Sequence, residues 1–139
     1  GLAAAMDYCM ATKYASVKLS ELAVGIGPFV VGPAVQRKAG LSGMSAMATN
    51  ATKFFDAEWA REKGIYTDVY DSAEDMDVAI AELATKLAKS NPEAMSELKS
   101  TFWTGTEHWD VLLKERAAIS GRLVLSDFTR NAIESFKKK

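Results

Sequence analysis

Three short stretches have the make-up of β-strands, and they are too few and too short to close a sheet among themselves. Residues 8–12 (Tyr-Cys-Met-Ala-Thr) suit a buried strand. Residues 17–19 (Val-Lys-Leu) and 65–70 (Ile-Tyr-Thr-Asp-Val-Tyr) alternate in the period-two manner of half-buried ones. An isolated strand pair is marginal in water, so sequence before Gly1 or a partner chain is expected to supply the rest of the sheet. Most of what lies between and after these stretches reads as helix. Residues 2–6 look like the tail of an apolar helix that Asp7 ends, and Pro28 is placed to open a helix reaching Lys38, with Pro33 expected to kink it. Gly40 is a stop, followed by a small-residue helix over residues 42–50, and Asp56 caps a short helix that ends at Gly64. Ser72 caps the clearest helix, in which Met76, Ala79, Ile80, Leu83, Ala84 and Leu87 share one face. Asn91-Pro92 opens another with the stripe Met95, Leu98 and Phe102. Beyond Gly105, Trp109, Leu112, Leu113 and Ala117 form a further stripe, and Ser126 caps a last helix with Phe128, Ile133 and Phe136.

Composition narrows the class. A length of 139 residues suits one domain with its own core, and 48% apolar with 25% charged residues is ordinary for a globular chain. Seventeen basic against 18 acidic residues leave a net charge of -1, so no overall field draws nucleic acid. Cys9 is the only cysteine, which forbids an internal disulfide and points to a reducing compartment, with the cytoplasm as the expected location. No apolar run has transmembrane length, and no membrane partner is expected. The chain opens on glycine with an apolar helical pattern already running, an opening that reads as the interior of a longer chain.

The chemistry-bearing stretch is Leu19-Ser20-Glu21-Leu22-Ala23-Val24-Gly25-Ile26-Gly27-Pro28-Phe29-Val30-Val31-Gly32-Pro33. A carboxylate follows an apolar run, glycines and proline turn the chain, and an apolar helix departs. By itself Glu21 is an acid in a loop. The pattern Ser-Glu-Leu-x-x-Gly-x-x-Pro, leading to Gln36-Arg37-Lys38-Ala39-Gly40, resembles the second acidic segment of the crotonase (enoyl-CoA hydratase/isomerase) superfamily. Gly1-Leu2-Ala3-Ala4-Ala5-Met6-Asp7 is similar to the family's Leu-Ala-x-x-Cys-Asp helix. Gly64-Ile65-Tyr66-Thr67-Asp68-Val69 looks like its Gly-Leu-Val-x-x-Val, and residues 132–139 resemble its C-terminal end.

The resemblance covers the C-terminal half of a full family member and implies an α/β spiral of β-β-α turns. Here that gives an incomplete portion with a few short strands followed mostly by α-helices. It implies that residues 1–71 are the last part of the spiral core and residues 72–139 the helical oligomerisation region, assembling a homotrimer or hexamer. It makes Glu21 the acid/base on an acyl-CoA thioester substrate, with Gly1, Leu19, Leu22, Val24, Pro28 and Phe29 contacting that substrate. Phe136 and Lys139 would reach the adenine and 3′-phosphate of CoA. No cofactor beyond the substrate's own CoA is implied, and no metal.

Two departures from the family pattern matter. Gly1 stands where hydratases carry a first glutamate, and the oxyanion-hole amides belong to the missing N-terminal half. A thioester reacts at its α-carbon or double bond because charge builds on its carbonyl oxygen, where amide donors stabilise it. What remains is proton movement, which a carboxylate in an apolar setting performs. Leu19, Leu22, Val24 and Phe29 are the candidates for that setting. A single acid favours double-bond isomerisation. The spacing of Gly25, Pro28 and Pro33 is instead similar to hydratases of branched, methylglutaconyl-type substrates, and hydration is the first expectation. The rival from another class is a helical assembly fragment with no activity. His108, between Glu107 and Trp109 in a C-terminal helix, reads as a solvated or interface residue, Cys9 as inert core, and the three tryptophans as packing anchors.

Overall fold

The computed structural model describes the backbone of residues 1–137 and the side chains of residues 1–135. Among the described residues four strands form, β1 (Met10–Thr12), β2 (Ser16–Val17), β3 (Phe55–Asp56) and β4 (Asp68–Tyr70). Parallel pairing joins β1 to β4 with Met10 opposite Asp68, and antiparallel pairing joins β2 to β3 with Val17 opposite Phe55. These are two separate ladders of two strands each. Among the described residues seven α-helices accompany them, α1 (Leu2–Ala5), α2 (Gly32–Thr49), α3 (Ala57–Glu62), α4 (Ala73–Ala88), α5 (Pro92–Phe102), α6 (Trp109–Val124) and α7 (Asp127–Lys137).

The expected strand over residues 65–70 begins only at Asp68. Ile65 and Tyr66 donate their amides to the Ala60 carbonyl, closing α3, and Thr67 donates to Cys9 at 2.7 Å as the ladder starts. A second difference lies at the prolines. Residues 28–31 are a turn, with Gly32 N–H donating to the Pro28 carbonyl at 2.8 Å, so α2 opens at Gly32. Pro33 therefore sits in the first helical turn, where its missing N–H costs nothing, and causes no kink. The break in α2 falls at Gly40, whose φ of 67° and ψ of 171° lie outside helical space.

Four helix starts follow their capping residues. Asp56 accepts from Trp59 N–H at 2.8 Å, Ser72 from Asp75 at 3.0 Å, Asn91 from Glu93 at 2.9 Å and Ser126 from Thr129 at 3.3 Å. The core gathers Ala4, Val35, Met47 and Ala60 from α1, α2 and α3, Phe55 from β3, and Leu19 and Ile65 from the loops after β2 and α3. Facing β1, α4 leaves a cavity of about 390 Å³ lined by Tyr8, Cys9, Met10, Ile80, Leu83 and Leu87. The stripe Met95, Leu98 and Phe102 of α5 stays exposed. Among the described residues no helix is long and apolar enough to cross a membrane.

A polar node ties α5 to the body. The Asp7 carboxylate accepts from Lys99 Nζ at 2.6 Å and from Trp103 Nε1 at 2.7 Å. Over the Trp103 ring lies the Arg37 guanidinium, 4.4 Å from its centroid, and Arg37 donates to the Phe102 carbonyl. The hydrogen bond from Lys99 is the main reason the Asp7 carboxyl lies below the ordinary carboxylate range.

Candidate active site

Glu21 opens a single 3-10 turn, Glu21–Val24. Gly25 ends that turn with φ 82°, a left-handed conformation that leaves its N–H free to donate to the Leu22 carbonyl at 3.1 Å. Ile26 N–H then donates to Glu21's own carbonyl at 3.0 Å, so the backbone on both sides of the acid is fixed. The turn is covered from outside by α7. A Cβ built on Gly25 would lie 2.4 Å from Phe128 Cδ1 and 2.8 Å from Thr129 Oγ1. Thr129 is itself fully buried, its hydroxyl 3.2 Å from that of Ser126. Glycine at position 25 is thus required twice, by its backbone and by the approach of α7.

Held this way, Glu21 presents one carboxylate oxygen, Oε2, that is closed to solvent and has no hydrogen-bond partner. Leaving such a group unsatisfied costs about 1–3 kcal/mol, and more when it is charged. Native structures keep few such groups, and each has a reason.

The other sequence-predicted site residues fall into two places. Gly1 and Leu19 line a cavity of about 230 Å³ with Val35, Met47 and Ile65. Pro28 and Phe29 line another, of about 290 Å³, with Gly32, Met44 and Arg116. Val24 is half-buried within the 3-10 turn, whereas Leu22, half exposed, faces solvent and does little to wall the acid. At Gly1 a Cβ would stand 3.0 Å from Val31 Cγ1, so an acidic side chain there requires Val31 to give way. The Phe136 side chain and Lys139 lie outside the described residues.

His108 is exposed at the start of α6 and makes no side-chain capping bond. Burial pushes the Cys9 thiol up, away from the reactive thiolate. Among the described residues no three His, Cys, Asp or Glu side chains converge as metal ligands would. Sequence reasoning marked Gly25 as a turn residue but not as a packing site, and it did not single out Thr129 or Arg116. Nothing local marks Thr129 or Arg116.

The chemical content is a carboxylate on a braced turn, one oxygen of which is closed to solvent and has no hydrogen-bond partner. A family model described as enoyl-CoA hydratase/isomerase matches residues 1–135. The chain belongs to this family. Its fold is the crotonase-like one, seen as short strands followed by helices. An enoyl-CoA hydratase from Mycobacterium avium superposes with a TM-score of 0.89 at 25% identity, over 99% of this chain and 53% of that one. An enoyl-CoA hydratase/isomerase from Pseudoalteromonas atlantica T6c gives 0.84 at 20% identity over 99% and 55%. An enoyl-CoA hydratase from Bacillus halodurans gives 0.85 at 16% over 95% and 53%. The chain therefore spans about half the length of these solved structures, and the last two carry the fold alone. No curated protein matches it.

Proposed function

We propose that this chain works within an acyl-CoA thioester enzyme that hydrates a 2-enoyl-CoA to a 3-hydroxyacyl-CoA, with Glu21 as its acid/base. The observation that carries the proposal is the solvent-shielded, unpartnered Oε2 of Glu21 on a turn braced by α7. In the reaction Glu21 takes a proton from water as the water oxygen bonds to C3. Charge collects on the thioester oxygen, stabilised by amides from residues outside this chain. As the carbonyl re-forms, the proton returns to C2 and Glu21 recovers its starting state. The cavity at Gly1 and Leu19 and the one at Pro28 and Phe29 would take the acyl chain, and a branched substrate is the first candidate. CoA is part of the substrate, no separate cofactor is needed, and the enzyme would assemble as a trimer or hexamer in the cytoplasm.

One observation favours a second reading. Val31 packs against Gly1 where a partner acid would stand, so Glu21 acts without a second carboxylate from that position. A lone carboxylate suits double-bond isomerisation, in which Glu21 removes a proton from C2 of a 3-enoyl-CoA and delivers it to C4. The test is to give the intact protein 2-enoyl- and 3-enoyl-CoA separately and follow the conjugated thioester chromophore. Its loss from the first substrate supports hydration, and its appearance from the second without hydration supports isomerisation. No change with either, across straight and branched chains, overturns both and leaves a helical assembly role.

A further inference from the structure

The way α7 meets the rest of the molecule is not that of an ordinary amphipathic helix. Its larger described apolar residues, Phe128 and Ile133, stay exposed. Of its described side chains only Thr129 is buried, and Thr129 is also the one fully buried polar side chain among the described residues. A helix docked by the hydrophobic effect alone buries its large apolar groups and leaves its hydroxyls in water. Here the order is reversed, so the hydroxyl calls for a reason beyond packing.

Its surroundings supply one. The Thr129 amide donates to Ser126 Oγ at 3.3 Å, and the Ser126 hydroxyl donates to Thr129 Oγ1 at 3.2 Å. Thr129 Oγ1 also lies 2.8 Å from the point where a Cβ on Gly25 would stand. In glycine that direction carries a Cα hydrogen, so the contact is of the Cα–H···O kind, which a hydroxyl oxygen accepts and a methyl group does not. From Gly25 the path to the acid is short. The Gly25 amide reaches the carbonyls of Leu22 and Glu21, and Ile26 N–H donates to the Glu21 carbonyl at 3.0 Å. The Glu21 backbone is thus tied to the residue on which Thr129 sits. Oε2 of Glu21 has no hydrogen-bond partner of its own, so where it stands depends on that backbone.

We infer that Thr129 is a positioning residue for Glu21: its hydroxyl, seated on Gly25, fixes where the Glu21 carboxylate stands relative to the substrate. Thr129 acts through the turn and exchanges no proton in the reaction. The inference rests on Glu21 being the acid/base, and it gives α7 a part in the chemical step.

The test compares Thr129→Ser and Thr129→Ala in the intact protein, assayed for turnover of an enoyl-CoA. Both lose the methyl group, both keep the residue 129 amide on the Ser126 cap, and they differ in the hydroxyl alone. Thr129→Ala should lower kcat about 10- to 100-fold with KM within about twofold, because a small misplacement of a reacting group costs that much. Thr129→Val, which lacks the hydroxyl but fills the site, should slow turnover in the same way. Thr129→Ser should keep kcat within about threefold of the wild type. Because Thr129 acts through Glu21, adding Thr129→Ala to Glu21→Gln should cause no further loss, whereas a general folding defect would add to it. A wild-type rate in Thr129→Ala or Thr129→Val, Thr129→Ser as slow as Thr129→Ala, or additive losses in the double variant would each overturn the inference. Glu21→Gln by itself tells the two claims apart. If it leaves turnover intact, the assignment of Glu21 fails and the inference falls with it. If it stops turnover while Thr129→Ala runs at the wild-type rate, only the role of Thr129 is lost.

Discussion

Gly25→Ala is the substitution that most sharply separates a braced Glu21 turn from a free one. Its first cost is backbone, since holding a residue with a Cβ at φ 82° is worth about 1–2 kcal/mol of strain. Its second cost is steric, because the new Cβ meets Phe128 Cδ1 at 2.4 Å and Thr129 Oγ1 at 2.8 Å. Phe128 is 68% exposed and its ring can swing aside. Thr129 is fully buried and has nowhere to go, so the overlap falls mainly on it. Overpacking of this kind adds about 1–3 kcal/mol. Gly105→Ala is the matched control, with φ 87° but no atom within 4 Å of the added Cβ, so only the backbone cost applies. Hydrogen exchange of α7 and the turn in the intact protein reads the difference. Relative to Gly105→Ala, Gly25→Ala should accelerate exchange in α7 by about five- to 150-fold. Equal exchange in the two variants would show that α7 does not brace the turn.

Three further outcomes are expected. The Asp7 carboxyl is held below the ordinary range by Lys99, so its contribution is complete above the unfolded value near about pH 4 and is lost as pH falls through the lower folded value. Proteolysis of α5 should therefore rise in acid, and Asp7→Asn should raise it already at neutral pH, at a cost of about 1 kcal/mol given the partial exposure of the pair. The exposed stripe of Met95, Leu98 and Phe102 should be covered by assembly, giving a trimer or hexamer by light scattering of the intact protein, and a monodisperse monomer would contradict this. If Phe136 and Lys139 hold the nucleotide end of CoA, the wild type should prefer CoA over its 3′-dephosphorylated form. Lys139→Ala should lose that preference, and equal affinity of the wild type for both would end the idea.

Local chemistry made much of this fold legible. Asp56, Ser72, Asn91 and Ser126 each satisfy amides two to three residues ahead, a relation written within a few positions of sequence. Gly40 marks the break in α2 because only its own φ is at issue. Pro33 misled because whether a proline kinks or opens a helix depends on where hydrogen bonding begins, and the 28–31 turn decides that. Two-residue β3 carries no periodicity, and its pairing with β2 comes from the fold. Asp7 reads in sequence only as the end of a helix, yet its partner Lys99 is 92 residues away. Glu21 stands out by the glycines and proline after it, while the packing of Thr129 against Gly25 depends on a helix more than a hundred positions later.

The central claim is that Glu21 moves the proton. Its most direct test is Glu21→Gln in the intact protein, assayed for turnover of an enoyl-CoA and, separately, for binding of a saturated acyl-CoA. The isosteric amide keeps the turn but cannot accept a proton, so turnover should fall by about 10²–10⁴-fold while binding persists. A rate within about tenfold of the wild type would contradict the claim.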